Sequence, residues 1–234
     1  MQKRLVILSG PSCVGKTPLL KAVKKNFQDP DFFLPVLYSS RRPRPIEKEG
    51  VDYYFRTEAE IRSLSNDRFI VSKARHVWQG IDMEEIGAVM SKGRPVVMEL
   101  YPTLATQFLN SPLVVSRKED YEIRTVFLSP ITRDELSAVK ESMGFATLQA
   151  AAAAVMLPKL IARVMAQGKI FTLDIMEDLQ IRASKAYDEI EMSNTYTDVI
   201  INHDGEDSRN WSYSPPVGEA GKTLTRFVEI LQGV

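Results

Sequence analysis

Short apolar runs bounded by turn residues recur along the chain. Such runs are typical of strands that are buried on both faces. Stretches with helical character separate them, which favours a parallel sheet in an α/β fold. The predicted strands are Leu5–Leu8, Pro95–Leu100, Arg124–Leu128 and Asp198–Ile201.

Apolar residues at helical spacing predict the helices between these strands. Pro18–Asn26 carries leucines and a valine at positions that suit a helix, and Gln149–Leu157 is rich in alanine, which has the highest helix propensity. The spacing of apolar residues from Met176 to Ile190 predicts one amphipathic helix over Asp174–Met192. A final helix is expected at Thr223–Leu231.

The region between the first two strands has a different character. Arg41–Pro45 reads Arg-Arg-Pro-Arg-Pro, and its prolines exclude a helix. Val51–Phe55 is aromatic and strand-like, and Glu58–Leu64 resembles a short helix. Pro35–Gly93 is therefore interpreted as a lobe inserted into the sheet.

Composition narrows the classes of protein. The chain has 234 residues, 44% of them hydrophobic, with 30 basic and 30 acidic residues. With a net charge of zero, the chain has no overall positive charge that would favour binding to nucleic acid. One cysteine and two histidines argue against a disulfide framework and against a structural zinc site. The longest later apolar run, Ala150–Leu157, is far below the roughly 20 residues that span a bilayer, so we expect a soluble, cytoplasmic protein with no membrane partner.

Gly10–Thr17 matches the phosphate-loop pattern G-x-x-x-x-G-K-[ST], with a predicted strand before it and a helix after it. Glycines let successive backbone N–H groups point at phosphate oxygens. Lys16 is expected to reach the β and γ phosphates of ATP, and Thr17 to bind Mg²⁺. Pro18 lacks an N–H that could have faced a phosphate. The predicted ATP-binding residues of the loop are Gly10, Ser12, Cys13, Val14, Gly15, Lys16 and Thr17.

Cys13 lies inside this loop. It is interpreted as a small filler, with an oxidation-sensitive thiol as the alternative.

A second signature runs from Ser39 to Phe55. It reads S-S-R-R-P-R-P-x-E-x-x-G-V-D-Y-Y-F and resembles the monophosphate-binding segment of guanylate kinases, T-T-R-x-P-R-x-x-E-x-x-G-x-D-Y-x-F. With the phosphate loop, the resemblance extends over nearly the whole chain and is weakest in the lid. It implies a P-loop parallel-sheet core, an inserted monophosphate-binding lobe and a helical lid. The expected boundaries within one domain are about 1–34, 94–132 and 193–234 for the core, 35–93 for the lobe and 133–192 for the lid.

The same resemblance implies which residues bind the acceptor. Arg41, Arg44 and Tyr53 would hold its phosphate, which agrees with the bidentate way in which guanidinium groups bind phosphate. Glu99 in Met-Glu-Leu-Tyr corresponds to the first acid of the family's L-D-I-D strand motif.

The positions that read the base depart from the family. The family's serine, glutamate and second aspartate are replaced by Leu37, Val71 and Tyr101. Because a site built to hydrogen-bond a base discriminates through those bonds, the replacements put guanine specificity in doubt. Three candidates for substitute readers are nearby, although exposed loop residues are the simpler interpretation: Ser72, Arg75 and His76.

The lid and donor side follow the family more loosely. Arg163 and Arg182 align with lid arginines, whereas Gln167 replaces an arginine, and an insertion is expected at about Ser137–Leu160. Phosphoryl transfer needs positive charge around the transferred group, so the expected catalytic residues are Lys16, Arg44, Arg163 and Arg182. Asn202 resembles the asparagine that meets the donor adenine.

Three functions follow from these residues. The first is an Mg²⁺-dependent kinase that transfers phosphate from ATP to a nucleoside monophosphate, GMP by family default. The second is a non-catalytic guanylate-kinase-like module that binds a protein partner. The third is a kinase for another phosphorylated acceptor, because the phosphate site is retained and the base site is altered.

Overall fold

A computed structural model describes residues 3–27, 31–43, 47–74 and 76–233. It confirms a mixed α/β architecture. The strands are β1 Lys3–Ser9, β2 Tyr38–Ser39, β3 Tyr54–Phe55, β4 Phe69–Ala74, β5 Val77–Asp82, β6 Val96–Glu99, β7 Tyr121–Ser129 and β8 Asp198–Ile201. The helices are α1 Lys16–Asn26, α2 Glu58–Arg62, α3 Met83–Ser91, α4 Pro102–Leu109, α5 Pro112–Val115, α6 Arg133–Ser142, α7 Leu148–Ala166, α8 Leu173–Ser184, α9 Ala186–Glu191 and α10 Gly218–Gln232.

The strands form two four-stranded sheets within the described residues. The first has the order β6-β1-β7-β8, and the second the order β3-β2-β5-β4. In the first sheet, β7 and β8 are parallel, with Val126 opposite Asp198 and Ser129 opposite Ile201. Leu5–Leu8 of β1 is wholly buried, as expected for a strand covered on both faces.

By compactness the chain divides into two units. The first unit comprises Met1–Ile7 and Asp31–Arg124 and holds the second sheet. Its helix α2 begins at a capping box in which Thr57 accepts from the Glu60 N–H and the Glu60 carboxylate accepts from the Thr57 N–H. Asp82 caps α3 by accepting from two backbone N–H groups of the first turn.

The second unit comprises Leu8–Pro30 and Thr125–Val234. It holds the phosphate loop, α1, α10 and the helices α6 to α9. Helix α7 has the length and composition of a membrane-crossing helix. One face of this helix packs against α6, α8 and α9. The buried residues of this face are Ala151, Ala152, Met156, Leu160 and Val164.

One predicted helix is divided in the structure, and one hairpin was not predicted from the sequence. The helix expected over Asp174–Met192 is two helices, α8 and α9, separated at Lys185 and followed by a 3₁₀ turn. The buried stripe nevertheless continues across the break through Leu179, Ala183, Ala186 and Ile190. In the inserted lobe, the sequence did not predict the hairpin of β4 and β5, which pairs Phe69 with Asp82.

Candidate functional site

The backbone of the phosphate loop requires glycine at two positions. Gly10 has φ 143°, and a Cβ there would lie 2.2 Å from the carbonyl oxygen of Leu128. Gly15 has φ 102°, and its Cβ would lie 2.7 Å from Nδ2 of Asn202. Cys13 also has a positive φ, 65°. The loop between β1 and α1 therefore has a curled backbone, and in such a curl successive N–H groups can converge on an anion.

Lys16 extends back across this loop. Its ammonium group donates to the carbonyl oxygens of Gly10 and Pro11, both at 2.8 Å, and the residue is buried. The positive charge is thus held over the curled segment that is expected to cradle phosphate. Thr17, the predicted Mg²⁺ ligand, lies one residue further, in the first turn of α1 and half-buried.

Asn202 lies at the end of β8 and is fully buried. Its Nδ2 donates to the carbonyl oxygens of Val14 at 2.8 Å and Asp204 at 2.7 Å. The side chain therefore ties the phosphate loop to the segment that follows β8. Its Oδ1 and the buried Oγ of Ser12 have no hydrogen-bond partner among the described residues. The predicted contact of Asn202 with a donor base stays a prediction.

Cys13 joins the loop to the helices predicted as a lid. The residue is buried in an apolar cluster with residues of α7 and α8, namely Leu160, Val164, Leu179 and Ala183. Burial raises the pKa of the thiol, opposed by the positive charge of Arg163. Nη1 of Arg163 lies 3.5 Å from the Cys13 sulfur. This packing agrees with the interpretation of Cys13 as a filler.

The two predicted lid arginines have acidic partners. Arg163 of α7 pairs with Glu206 at 3.4 Å, and Arg182 of α8 pairs with Asp178 one turn earlier at 2.8 Å. The backbone N–H of Glu206 in turn donates to the Cys13 carbonyl. Glu206 was not predicted from the sequence, where its one signal is its place in the acidic run after His203.

His203 links two further helices of the same unit. Its ring nitrogens each lie 3.1 Å from a carboxylate oxygen, of Glu135 in α6 and Glu219 in α10. The hydrogen bond to Glu135 raises the pKa of His203 above its usual value. Hydrogen bonds from the Thr132 backbone and from His203 lower the pKa of Glu135 to about 2.

In the first unit, Arg41 lies in a cluster that suits a phosphate. Its Nη1 and Nη2 each donate to the Glu47 carboxylate at 2.6 Å. The guanidinium carbon lies 4.7 Å from the centre of the Tyr53 ring and 5.6 Å from that of Phe55. Burial acts to lower the pKa of Arg41, but the hydrogen bonds to Glu47 outweigh it, and the pKa is raised. The cluster therefore holds a fully charged guanidinium in a fixed orientation.

Tyr53 keeps its proton in this environment. Burial, with a smaller contribution from the negative charge of Glu99, raises its pKa to about 12, so the phenol is available as a hydrogen-bond donor. Glu99 itself is exposed at the end of β6. Arg44, the other predicted phosphate ligand, lies outside the described residues.

The predicted base-reading positions carry apolar or aromatic side chains, with Leu37 buried and Val71 and Tyr101 half-buried. Sequence reasoning missed two polar residues in the same sheet. Ser39 and Gln79 are buried, and Ser39 Oγ and Gln79 Oε1 have no hydrogen-bond partner within the described part of the chain. Of the suggested substitutes, Ser72 lies in β4 and His76 is exposed in the hairpin turn, while Arg75 lies outside the described residues.

Comparison with known proteins gives a consistent picture. A family model described as guanylate kinase matches residues 2–157. The guanylate kinase of Synechococcus sp. (strain JA-3-3Ab) is 33% identical over 135 residues, which cover 57% of this chain and 58% of that protein. The guanylate kinase of Pasteurella multocida (strain Pm70) is 28% identical over 204 residues, which cover 86% of this chain and 81% of that protein. The crystal structure of guanylate kinase from Anaplasma phagocytophilum aligns with a TM-score of 0.61 at 18% identity, covering 99% of this chain and 86% of that chain.

The fold and the loop geometry define a P-loop α/β protein. Since the family model spans most of the chain, the protein belongs to the guanylate kinase family. The chain covers less than two thirds of the length of two of its relatives. The share is 58% for the Synechococcus guanylate kinase and 64% for that of Thermobifida fusca. Arg163, Arg182 and Asn202 lie beyond the residues matched by the family model.

Proposed function

We propose that this protein is an ATP-dependent guanylate kinase that converts ATP and GMP into ADP and GDP. The observation that carries the proposal is the phosphate loop, in which Gly10 and Gly15 have no room for a Cβ and Lys16 is held across the curl. The loop also holds Cys13, a residue other than glycine, at a positive φ, and backbone strain of this kind clusters at ligand-binding sites. Membership of the family supplies GMP as the expected acceptor.

On the donor side, the loop N–H groups and Lys16 would hold the β and γ phosphates of ATP. The described residues contain no cluster of three or more acidic, cysteine or histidine side chains that could hold a metal. An Mg²⁺ ion would therefore be held mainly by the nucleotide phosphates and water, with Thr17 supplying one hydroxyl. This arrangement suits Mg²⁺, which usually keeps several waters. The ion would neutralise charge on the phosphates.

On the acceptor side, Arg41 and Tyr53 would bind the phosphate of GMP, together with Arg44. Glu47 accepts from two N–H donors of Arg41 and the Arg42 carbonyl accepts from a third, which fixes the plane of the guanidinium. The remaining donors would bind the phosphate. The acceptor phosphate is already anionic, so no general base is needed. Arg163 and Arg182 would supply positive charge to the transferred group from the lid, and we expect the enzyme to act in the cytoplasm.

The experiment is a panel of nucleoside monophosphates with ATP and Mg²⁺, with ADP release measured for each. Turnover of GMP with loss of activity on chelation of Mg²⁺ is the expected result. An absence of turnover with every monophosphate, by a protein that still binds ATP in calorimetry, would reject the kinase. An absence of ATP binding by the folded protein would point to the non-catalytic module.

A further inference from the structure

Polar side chains form a row across three strands of the second sheet. Ser39 of β2 is paired with Gln79 of β5, and Gln79 is paired with Ser72 of β4. Directly opposed residues on neighbouring strands project to the same face of a sheet. Phe55 of β3 is paired with Ser39 and extends the row on its other side.

This row lies on the face that carries the proposed phosphate ligands. Phe55 lies opposite Ser39, so a group that contacts the Phe55 ring lies on the face of the sheet that carries Ser39. The Arg41 guanidinium is such a group, because it lies over the rings of both Tyr53 and Phe55. A ligand whose phosphate meets Arg41 therefore has Ser39 and Gln79 next along the same face.

Both of these side chains have unused hydrogen-bonding capacity. Ser39 is 0% exposed and Gln79 is 6% exposed. Neither Ser39 Oγ nor Gln79 Oε1 has a partner in the described parts of the chain. A buried polar atom without a partner is destabilising, so such an atom usually meets an ordered water, an ion or a ligand. The oxygen and nitrogen of the Gln79 amide are interchangeable by a flip, but either assignment leaves one end unpaired.

We propose that Ser39 and Gln79 are the base-reading pair of the acceptor site. They would recognise, through neutral hydrogen bonds, a purine edge that places an N–H donor beside an acceptor. An amide offers one acceptor and one donor side by side, which matches the lactam edge of a 6-oxopurine. That edge is common to GMP and IMP, whereas a carboxylate accepts two bonds and favours the additional amino group of guanine. The proposal rests on the kinase function proposed above and adds that discrimination between GMP and IMP is weak.

The first test is Gln79→Met, which keeps the size of the side chain and removes its polar ends. We expect the KM for GMP to rise at least about tenfold, because one hydrogen bond to the substrate is lost. The KM for ATP should stay unchanged. The melting temperature should stay constant or rise, because an unpaired buried amide is removed. An unchanged KM for GMP would overturn the proposal, and a lower melting temperature with that result would mean that Gln79 holds only a buried water.

Ser39→Ala covers the case in which Gln79→Met folds poorly. It removes a single oxygen, and we expect it to raise the KM for GMP while the melting temperature is maintained. If the KM for GMP is unaffected by Ser39→Ala, the proposal fails whatever the behaviour of the methionine variant.

The second test is Gln79→Glu, which restores a carboxylate. The ratio of kcat/KM for GMP to that for IMP should rise at least about tenfold over the wild-type ratio, because only guanine offers two adjacent N–H donors. An unaltered ratio would place the base away from Gln79.

Trp78→Phe is the matched control. Trp78 is the preceding residue of β5, points to the opposite face and also has a buried, unpaired N–H within the described residues. It should leave the KM for GMP unchanged. Wild-type turnover separates the two proposals: no turnover rejects the kinase itself, whereas turnover that is insensitive to Ser39 and Gln79 rejects only the base-reading pair.

Discussion

Under the proposed function, the phosphate loop and the acceptor lobe would bind ATP and GMP through different parts of the chain. In the loop, the proposed phosphate ligands are backbone N–H groups, and the side chains of Lys16 and Asn202 donate to carbonyl oxygens of the loop. In the lobe, the proposed ligands are side chains from several strands, and Ser39 Oγ and Gln79 Oε1 have no hydrogen-bond partner among the described residues. The comparison teaches that a backbone site depends on a few glycines, whereas a side-chain site can change its ligand by replacing single residues.

The largest effect is expected at Lys16. Lys16→Met should lower kcat about 10³-fold, because the variant lacks the ammonium group that would stabilise negative charge on the phosphates in the transition state. Lys21→Met is the control, since Lys21 is exposed on the same helix. The measurement is ADP release at saturating GMP. Full activity of the Lys16 variant would remove the loop from the donor site.

Gly10→Ala tests the backbone character of the loop. The new Cβ would collide with the Leu128 carbonyl at a positive φ, so unfolding free energy should fall by at least about 2 kcal/mol. Gly87→Ala is the control, since Gly87 lies in α3 with no atom within 4 Å of a Cβ, and it should stabilise by about 0.5–1 kcal/mol. Denaturant unfolding measures both, and equal effects would contradict the described loop.

Arg41→Lys tests the side-chain character of the lobe. Lysine cannot bind Glu47 and a phosphate in the same fixed plane, so the KM for GMP should rise about 10- to 100-fold with little change in the KM for ATP. Arg42→Lys, at an exposed neighbour, is the control. Steady-state kinetics with each substrate varied in turn measures both KM values. A larger change in the KM for ATP than in the KM for GMP would contradict the assignment of Arg41 to the acceptor site.

The smallest effect concerns pH. The pKa of His203 is raised, so its stabilising contribution is complete below its unfolded value of 6.5 and is lost as the pH rises through the higher folded value. The lowered pKa of Glu135 contributes above 4.5 and is lost as the pH falls toward about 2. Glu219, itself paired with Lys222, faces the imidazole from α10, and Lys159 of α7 donates to the His203 carbonyl.

His203→Gln should therefore flatten the decline in stability between pH 6 and pH 8. Because the pair is exposed to solvent, the difference from wild type should be below about 1 kcal/mol. Urea unfolding at several pH values measures it. If the wild-type protein instead gained stability relative to the variant as the pH rises over this range, the prediction would be contradicted.

Features that depend on local sequence were predictable. The strand Asp198–Ile201 was predicted with its observed bounds, since a short apolar run between polar residues leaves little freedom. The phosphate loop was predicted from the spacing of its residues and from the strand and helix expected on either side, which the structure shows as β1 and α1.

Features that depend on register or packing were not predictable. Ser39 and Gln79 meet only because β2 and β5 pair in one particular register, and nothing local in the sequence fixes that register. The break at Lys185 was missed because the apolar spacing continues through it and the residue itself is a good helix former.

The position of Cys13 has a practical consequence. Its sulfur is enclosed by residues of α7 and α8, so a thiol reagent can reach it only when those helices move away from the loop. The sequence contains a single cysteine, so the reaction would be specific without any engineering. The rate of alkylation, measured with and without nucleotide, would report how often these helices separate from the loop.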